Sequence, residues 1–414
     1  MGKYIDALDA AQPKERWALA RGWIYSEPQP FFEEMRAERP VLVLPDLTLV
    51  FRFDDCATVM RRHQDFGVDR YKPKQGDYFM AQDWTADHWR DKSVMKAILD
   101  FEEVPAMREF VAKRCGEILD AAKGAIDGPV SYTRAVPVSL VQEFFGYKGS
   151  DPEKLKTWSY WNQQDAFHNQ PEIDIQVTDP QHIIDERVKA NKELAIHTGL
   201  ILAKRFAQAR FFFMKLNDPV SRLVRLQKTG AIKWGLPKIL FNTGGLLIGA
   251  VETTSNVVNN AIQELARRPE TMARAKIAAQ TGDNNVFDPY VFEALRFNPA
   301  FSYFFRTCHK PTWLAAGTEH AVQVRPGTTV MAIAASAMRD PVAFPKPEEF
   351  DQRRPLSDCF TFGQGLHECL GIQIAYAMVP EMVRQCLLRE EFEPAGDLVL
   401  ERSVPEHYPW KWKV

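Results

Sequence analysis

Cys369 stands in the run Phe362-Gly363-Gln364-Gly365-Leu366-His367-Glu368-Cys369-Leu370-Gly371, just ahead of an apolar helical stretch with Ile372, Ala375, Met378 and Val379. A thiol at a helix N-terminus faces backbone N–H groups that have no intrahelical acceptor, and the positive end of the macrodipole. Both favour the thiolate, which is the form that ligates metal. Gly363, Gly365 and Gly371 carry no Cβ, so backbone there can approach something flat and large. A cysteine taken alone is more often a small buried hydrophobe. The glycine spacing, Phe362 and His367 turn the reading toward chemistry.

A loop of this kind suits a haem iron held through one sulfur, which pushes electron density onto the metal and helps cleave an O–O bond. The pattern Phe-x-x-Gly-x-x-x-Cys-x-Gly, here Phe362, Gly365, Cys369 and Gly371, resembles the haem loop of the cytochrome P450 superfamily. The resemblance implies haem b as cofactor, with Cys369 as iron ligand. Phe362 and Gly363 would lie in the cofactor-binding loop, and His367 would hydrogen-bond a propionate.

The stretch 239–266 is long, apolar and helical in period, yet holds Gly244-Gly245, Gly249 and Thr253-Thr254. Glycine costs about 1 kcal/mol in a helix interior relative to alanine. A helix that keeps such residues gains close approach or a break in its hydrogen-bond ladder. Its segment Gly249-Ala250-Val251-Glu252-Thr253 resembles the family's small-Gly-x-acid-Thr motif, with Ala250 where glycine is commoner and glutamate in place of aspartate. The resemblance implies that Thr253 holds a water over the iron and that Glu252 relays protons from solvent. The alternative is a salt-bridged Glu252 and a Thr253 that bonds back to the preceding turn.

Glu293 and Arg296 share a helix face at i and i+3; exposed pairs of that kind contribute little. They resemble the family's Glu-x-x-Arg pair, which is buried and joined by a second arginine, Arg353 here, as a structural triad. By position Arg306 becomes a propionate anchor. His88 and Lys92 resemble a His-x-x-x-Arg anchor in which lysine, a point charge, replaces the fork of arginine; a solvated helix face is the other reading. Ala250, Val251, Phe301, Ser302, Tyr303 and Phe304 would line an apolar substrate pocket, although aromatics more often simply pack a core.

Two regular elements must position these residues: a long helix for Thr253, and a loop entering a helix for Cys369. Around them 41–53 alternates about a Pro45-Asp46 turn, and 107–268 is patterned as helix with breaks at Pro137, Pro171, Pro180 and Pro219. A second β signal covers 312–332, with turns at Gly317 and Pro326-Gly327. The expected fold is mainly α with small β-sheets. By the resemblance it is a single-domain cytochrome P450 fold over 1–414, with haem between the oxygen-activating helix and the cysteine loop. A β-richer part spans about 1–70, a helical core about 80–300 and the haem-ligand region about 340–385.

With 414 residues, 45% of them hydrophobic, the chain can bury a large core. The 52 basic and 54 acidic residues give a net charge of −2, so no basic excess argues for nucleic acid or an anionic membrane as principal partner. Six cysteines without paired spacing fit a reducing compartment. Charges among the first residues spoil a signal peptide, and no apolar run reaches the roughly 18–20 residues needed to cross a bilayer. The expectation is a cytoplasmic, bacterial-type monooxygenase acting on a small apolar organic substrate. Electrons would come from a separate ferredoxin or flavodoxin with its reductase, docking on Arg108, Lys113, Arg114 and Arg354. Rival readings are a peroxide-using peroxygenase, a non-catalytic haem protein and a haem-free protein with a reactive cysteine.

Overall fold

In the computed structural model the described residues are 2–83, 86–170, 177–210, 217–355 and 359–414. Pro171 lies outside them. The chain forms mainly helices with small sheets, as expected. Two compact units are present. One comprises Met1–Pro73, Met80–Ala86 and Leu295–Cys369; the other comprises Lys74–Phe79, Asp87–Ala294 and Leu370–Val414. The chain passes from one to the other five times, so no linker composition marks a boundary.

The first unit is built on a five-stranded sheet in the order Val41–Val43, Leu47–Val50, Thr329–Ala332, Phe304–Cys308, Phe66–Gly67. The hairpin expected at 41–53 is its first pair, with Val41 opposite Val50. Leu47–Val50 runs parallel to Thr329–Ala332, and the other neighbours are antiparallel. The helix Phe53–Arg61 covers the sheet with Cys56, Ala57, Val59 and Met60, all buried in one cluster with Val330 and Phe360. Fully burying an apolar side chain of this size contributes about 1.5–3 kcal/mol.

In the second unit the helices Val104–Ala122 and Ile372–Leu387 pack together. Met107, Val111, Cys115 and Leu119 form a buried ridge at four-residue spacing; Ile374, Met378, Met382 and Cys386 form another. Ridges at this spacing are what two helices interdigitate. Pro180 and Pro219 begin helices Pro180–Arg210 and Pro219–Lys228, where a missing N–H costs nothing. Pro137 differs from expectation: it sits inside Ala135–Phe144, near its start, and ends nothing. A three-stranded sheet joins Ala125–Asp127, Pro409–Lys411 and Glu393–Pro394. Among the described residues no helix is long and apolar enough to cross a membrane.

Candidate functional site

In the first unit the loop around Cys369 folds back on itself. The Cys369 N–H donates to the Phe362 carbonyl at 2.9 Å, Gly363 N–H to Phe360 at 2.9 Å and Glu368 N–H to Gly365 at 3.1 Å. Gly363 and Gly365 lie in the left-handed region, at φ 68° and 74°, where a Cβ is strained. A Cβ on Gly365 would also stand 2.9 Å from the Met60 carbonyl oxygen and 3.0 Å from the Arg61 Cα. Gly371 differs: its φ is −88° and a Cβ there meets nothing within 4 Å. Of the six cysteines Cys369 alone is half-exposed; the other five are buried.

Arg306 lies in the sheet strand Phe304–Cys308, opposite Val330, and is only 4% exposed. Its Nη1 donates to the Phe305 carbonyl at 2.7 Å. Among the described residues no carboxylate reaches ion-pair distance of it. Burial holds this guanidinium below its ordinary value, against the attraction of Tyr71 and Asp83. His367 has a side chain 5% exposed, with Nε2 4.0 Å from Oδ1 of Asp83. Asp83 accepts from the Val68 N–H at 2.6 Å, and burial raises its carboxyl. The first unit thus brings Arg306 and His367 to one acidic neighbour. A buried guanidinium short of a carboxylate, in the same unit as a buried imidazole and a half-exposed cysteine, fits the propionates and iron of a haem. Phe301, Tyr303 and Phe304 are half-buried, and Ser302 is exposed.

The Glu-x-x-Arg pair is buried, at the end of the helix Asn284–Phe297. Arg296 donates to the carbonyls of Met338 and Pro347, both at 2.8 Å, and its guanidinium lies over Phe297 and Phe344. Arg353 is a correction to the expected triad. Its side chain is 84% exposed and it binds Asp351 at 2.8 and 3.0 Å, holding that carboxyl at about 2. A partner two residues away costs less chain entropy than a distant one.

In the second unit the expected long helix is two: Leu236–Ala250 and Glu252–Ala266, divided at Val251 with φ −90° and ψ −66°. The Thr253 hydroxyl donates to the Gly249 carbonyl at 2.7 Å, supplying a bond that the ladder lost. This is the back-bonding by which threonine bends helices. Gly249 is exposed, and Ala250 and Thr253 are half-buried. Val251, expected to face the pocket, is instead fully buried at the break. Gly245 is needed one turn earlier, since a Cβ there would run into the Tyr78 ring.

Glu252 is 4% exposed and accepts from Nε of Arg134 at 2.9 Å. The rest of the Arg134 fork goes to Glu406, at 3.2 and 3.1 Å, and to the Pro405 carbonyl at 2.9 Å. Burial raises the Glu252 carboxyl, and Arg134 pulls it back only in part. Burial also works against the charge on Arg134, but Glu252 and Glu406 together outweigh it and keep the guanidinium protonated. So the salt-bridged form of Glu252 is the one observed, as is the back-bonded Thr253. Nothing in the sequence signalled Arg134 or Glu406.

His88 is fully buried, with Nδ1 2.9 Å from the Phe79 carbonyl, and Lys92 is buried one turn later. The solvated-face reading of these two is therefore excluded. Of the docking cations, Arg108 is bound to Asp288 and Glu381, Arg114 to Ser139 and Glu117, and Arg354 to the carbonyls of Pro345 and Lys346. Lys113 is exposed.

A family model described as cytochrome P450 matches residues 226–402, a stretch holding the divided helix, Arg296, Arg306 and Cys369. The chain is 26% identical to the Bacillus subtilis cytochrome P450 YjiB, over 84% of this chain and 83% of that one. It is 25% identical to a vitamin D(3) 25-hydroxylase of Pseudonocardia autotrophica, over 87% and 86%. CYP109E1 from Bacillus megaterium, solved in complex with testosterone, superposes with a TM-score of 0.77 at 21% identity, covering 94% of this chain and 100% of that one. At that identity the likeness speaks to the fold alone.

Proposed function

The chain belongs to the cytochrome P450 superfamily, and from that premise we propose that it is a haem b monooxygenase oxidising a small apolar organic substrate with electrons from a separate ferredoxin or flavodoxin system. The observation that carries the reading is Cys369, half-exposed at the end of a loop shaped by two left-handed glycines. Bound haem supplies dioxygen activation and insertion of one oxygen atom into substrate.

This chain's residues hold that group and manage its protons. Cys369 Sγ is the ligand, in a loop containing Phe362 and Gly363. Arg306 and His367 hold propionates, and His88 and Lys92 are further candidates for the same role. Thr253 Oγ1, which donates to the Gly249 carbonyl, keeps its lone pairs to accept from a water. Glu252, whose carboxyl burial raises while Arg134 opposes the rise, takes up a proton and passes it to water. Arg296 and Glu293 keep the scaffold. Ala250, Phe301, Tyr303 and Phe304 offer apolar surface to a substrate. One relative is a vitamin D(3) 25-hydroxylase and one structural neighbour was solved with testosterone, so flat polycyclic molecules are the first to try.

The test is the carbon monoxide difference spectrum of the reduced protein. Wild type should show the strongly red-shifted band of a thiolate-ligated haem, and Cys369→Ala should lose it. An ordinary histidine-type band in wild type overturns the reading. In turnover, Thr253→Ala should divert electrons to peroxide; a non-catalytic haem protein would show no such change.

A further inference from the structure

Arg134 is shared unequally. Its two terminal nitrogens both face Glu406, while Glu252 receives the single Nε–H, on Oε2 alone. The other oxygen of Glu252, Oε1, is buried and takes no hydrogen bond among the described residues. Arg134 follows directly on the turn Pro129–Thr133, which is fixed to the helix Glu252–Ala266. There Thr133 Oγ1 lies 2.7 Å from Ser255 Oγ and accepts from Asn259 Nδ2 at 3.0 Å. Thr133 thus ties the residue before Arg134 to the helix that carries Glu252.

We propose that Glu406, on the C-terminal strand Val404–His407, is a positioning residue for Glu252: by engaging the Arg134 fork it keeps the arginine's hold on Glu252 to one hydrogen bond, leaving Glu252 Oε1 able to accept and release a proton. The inference rests on the reading of Glu252 as proton carrier. A guanidinium presenting its fork to one carboxylate binds it more strongly than through a lone N–H. With the Glu406 charge removed, the fork turns toward Glu252 and holds it ionised. The proton step is balanced: Oε1 gains H⁺ from solvent and later gives it to water.

The other charged groups around the pair come from two further elements. Lys156, on the helix Pro152–Gln163, attracts Glu252 and is itself paired with Glu153. Tyr160 on the same helix stacks its ring under Arg134 and accepts from Arg402, which pairs with Glu401.

The test is an infrared titration of folded protein carrying 13C-glutamate, with the Glu252 band identified by its loss in Glu252→Gln. Glu406→Gln should move the Glu252 midpoint to lower pH, by about one unit for a tenfold change in proton affinity. Glu406→Asp should restore most of the shift. Arg134→Lys, which keeps the charge and loses the fork, should move it upward; this variant also carries the test if Glu406→Gln does not fold. In turnover, Glu406→Gln should shift the pH profile the same way and raise the solvent isotope effect. An unmoved or raised midpoint in folded Glu406→Gln overturns the proposal. A midpoint that moves as expected while Glu252→Gln turns over like wild type overturns instead the proton-carrying reading of Glu252.

Discussion

Arg306 donates to its own neighbour's carbonyl and otherwise stands in the interior as a cation with no carboxylate at ion-pair distance among the described residues. Such a group destabilises the protein that contains it until an anion arrives. Arg306→Met should therefore act with opposite signs on two measurements. The haem-free protein should gain about 1–3 kcal/mol, read as a higher Tm, while haem retention through gel filtration falls. A variant that loses Tm without haem would show that the guanidinium serves the fold. At this scale the sequence was legible where the signal was local. The glycines that shape the loop before Cys369 are its neighbours in the chain, so their spacing was visible in the sequence. Arg353 misled for the same local reason: Asp351 captures it first. Arg134 was invisible because its bond to Glu252 joins residues 118 apart.

The divided helix is the element that departs most from its own periodicity. Apolar spacing through 239–266 is continuous, and nothing in it forces the chain to stop at Val251. What divides it is a competition at Gly249, whose carbonyl takes a hydroxyl in place of the regular ladder. Residue types foretold a weakness there, but not that it would separate two helices. Glu252 opens the second of them and links the element to pH. Burial raises its carboxyl above the ordinary 4.5, so the unfolded chain releases this proton first as pH rises. Glu252 therefore withdraws stability from about pH 4.5 up to its raised value and leaves a constant deficit above it. Glu252→Gln cannot ionise. The Tm difference, variant minus wild type, should grow as pH rises above about 4.5 and then level off; a flat difference would mean that Arg134 fully compensates the charge.

Across the whole molecule the C-terminal stretch contributes to more than its own sheet. Pro409–Lys411 is the central strand between Ala125–Asp127 and Glu393–Pro394, and Trp410 is among the largest fully buried side chains. It meets Tyr132, Phe392 and Tyr408 ring to ring at 5.7–5.8 Å. Trp410→Ala should cost about 3–5 kcal/mol by denaturant titration. Pro405 and Glu406, which hold Arg134, belong to the adjoining hairpin, so the same variant should also disturb the titration of Glu252. A charge balance near neutrality and a scattered cysteine set said nothing about how the two units exchange the chain.

The glycines of the loop and of the helix are constrained by different kinds of matter, and genetics should tell them apart. Gly245 is confined by the side chain of Tyr78, whereas Gly365 is confined by the backbone of Met60 and Arg61 and by its own positive φ. A defect at Gly245→Ala can be suppressed by a second mutation that shrinks residue 78. No replacement at residues 60 or 61 moves a carbonyl oxygen or a Cα out of the way. A suppressor screen starting from Gly245→Ala should return changes at Tyr78. One starting from Gly365→Ala should return only revertants to glycine, which makes that position one the lineage can leave only by losing the loop.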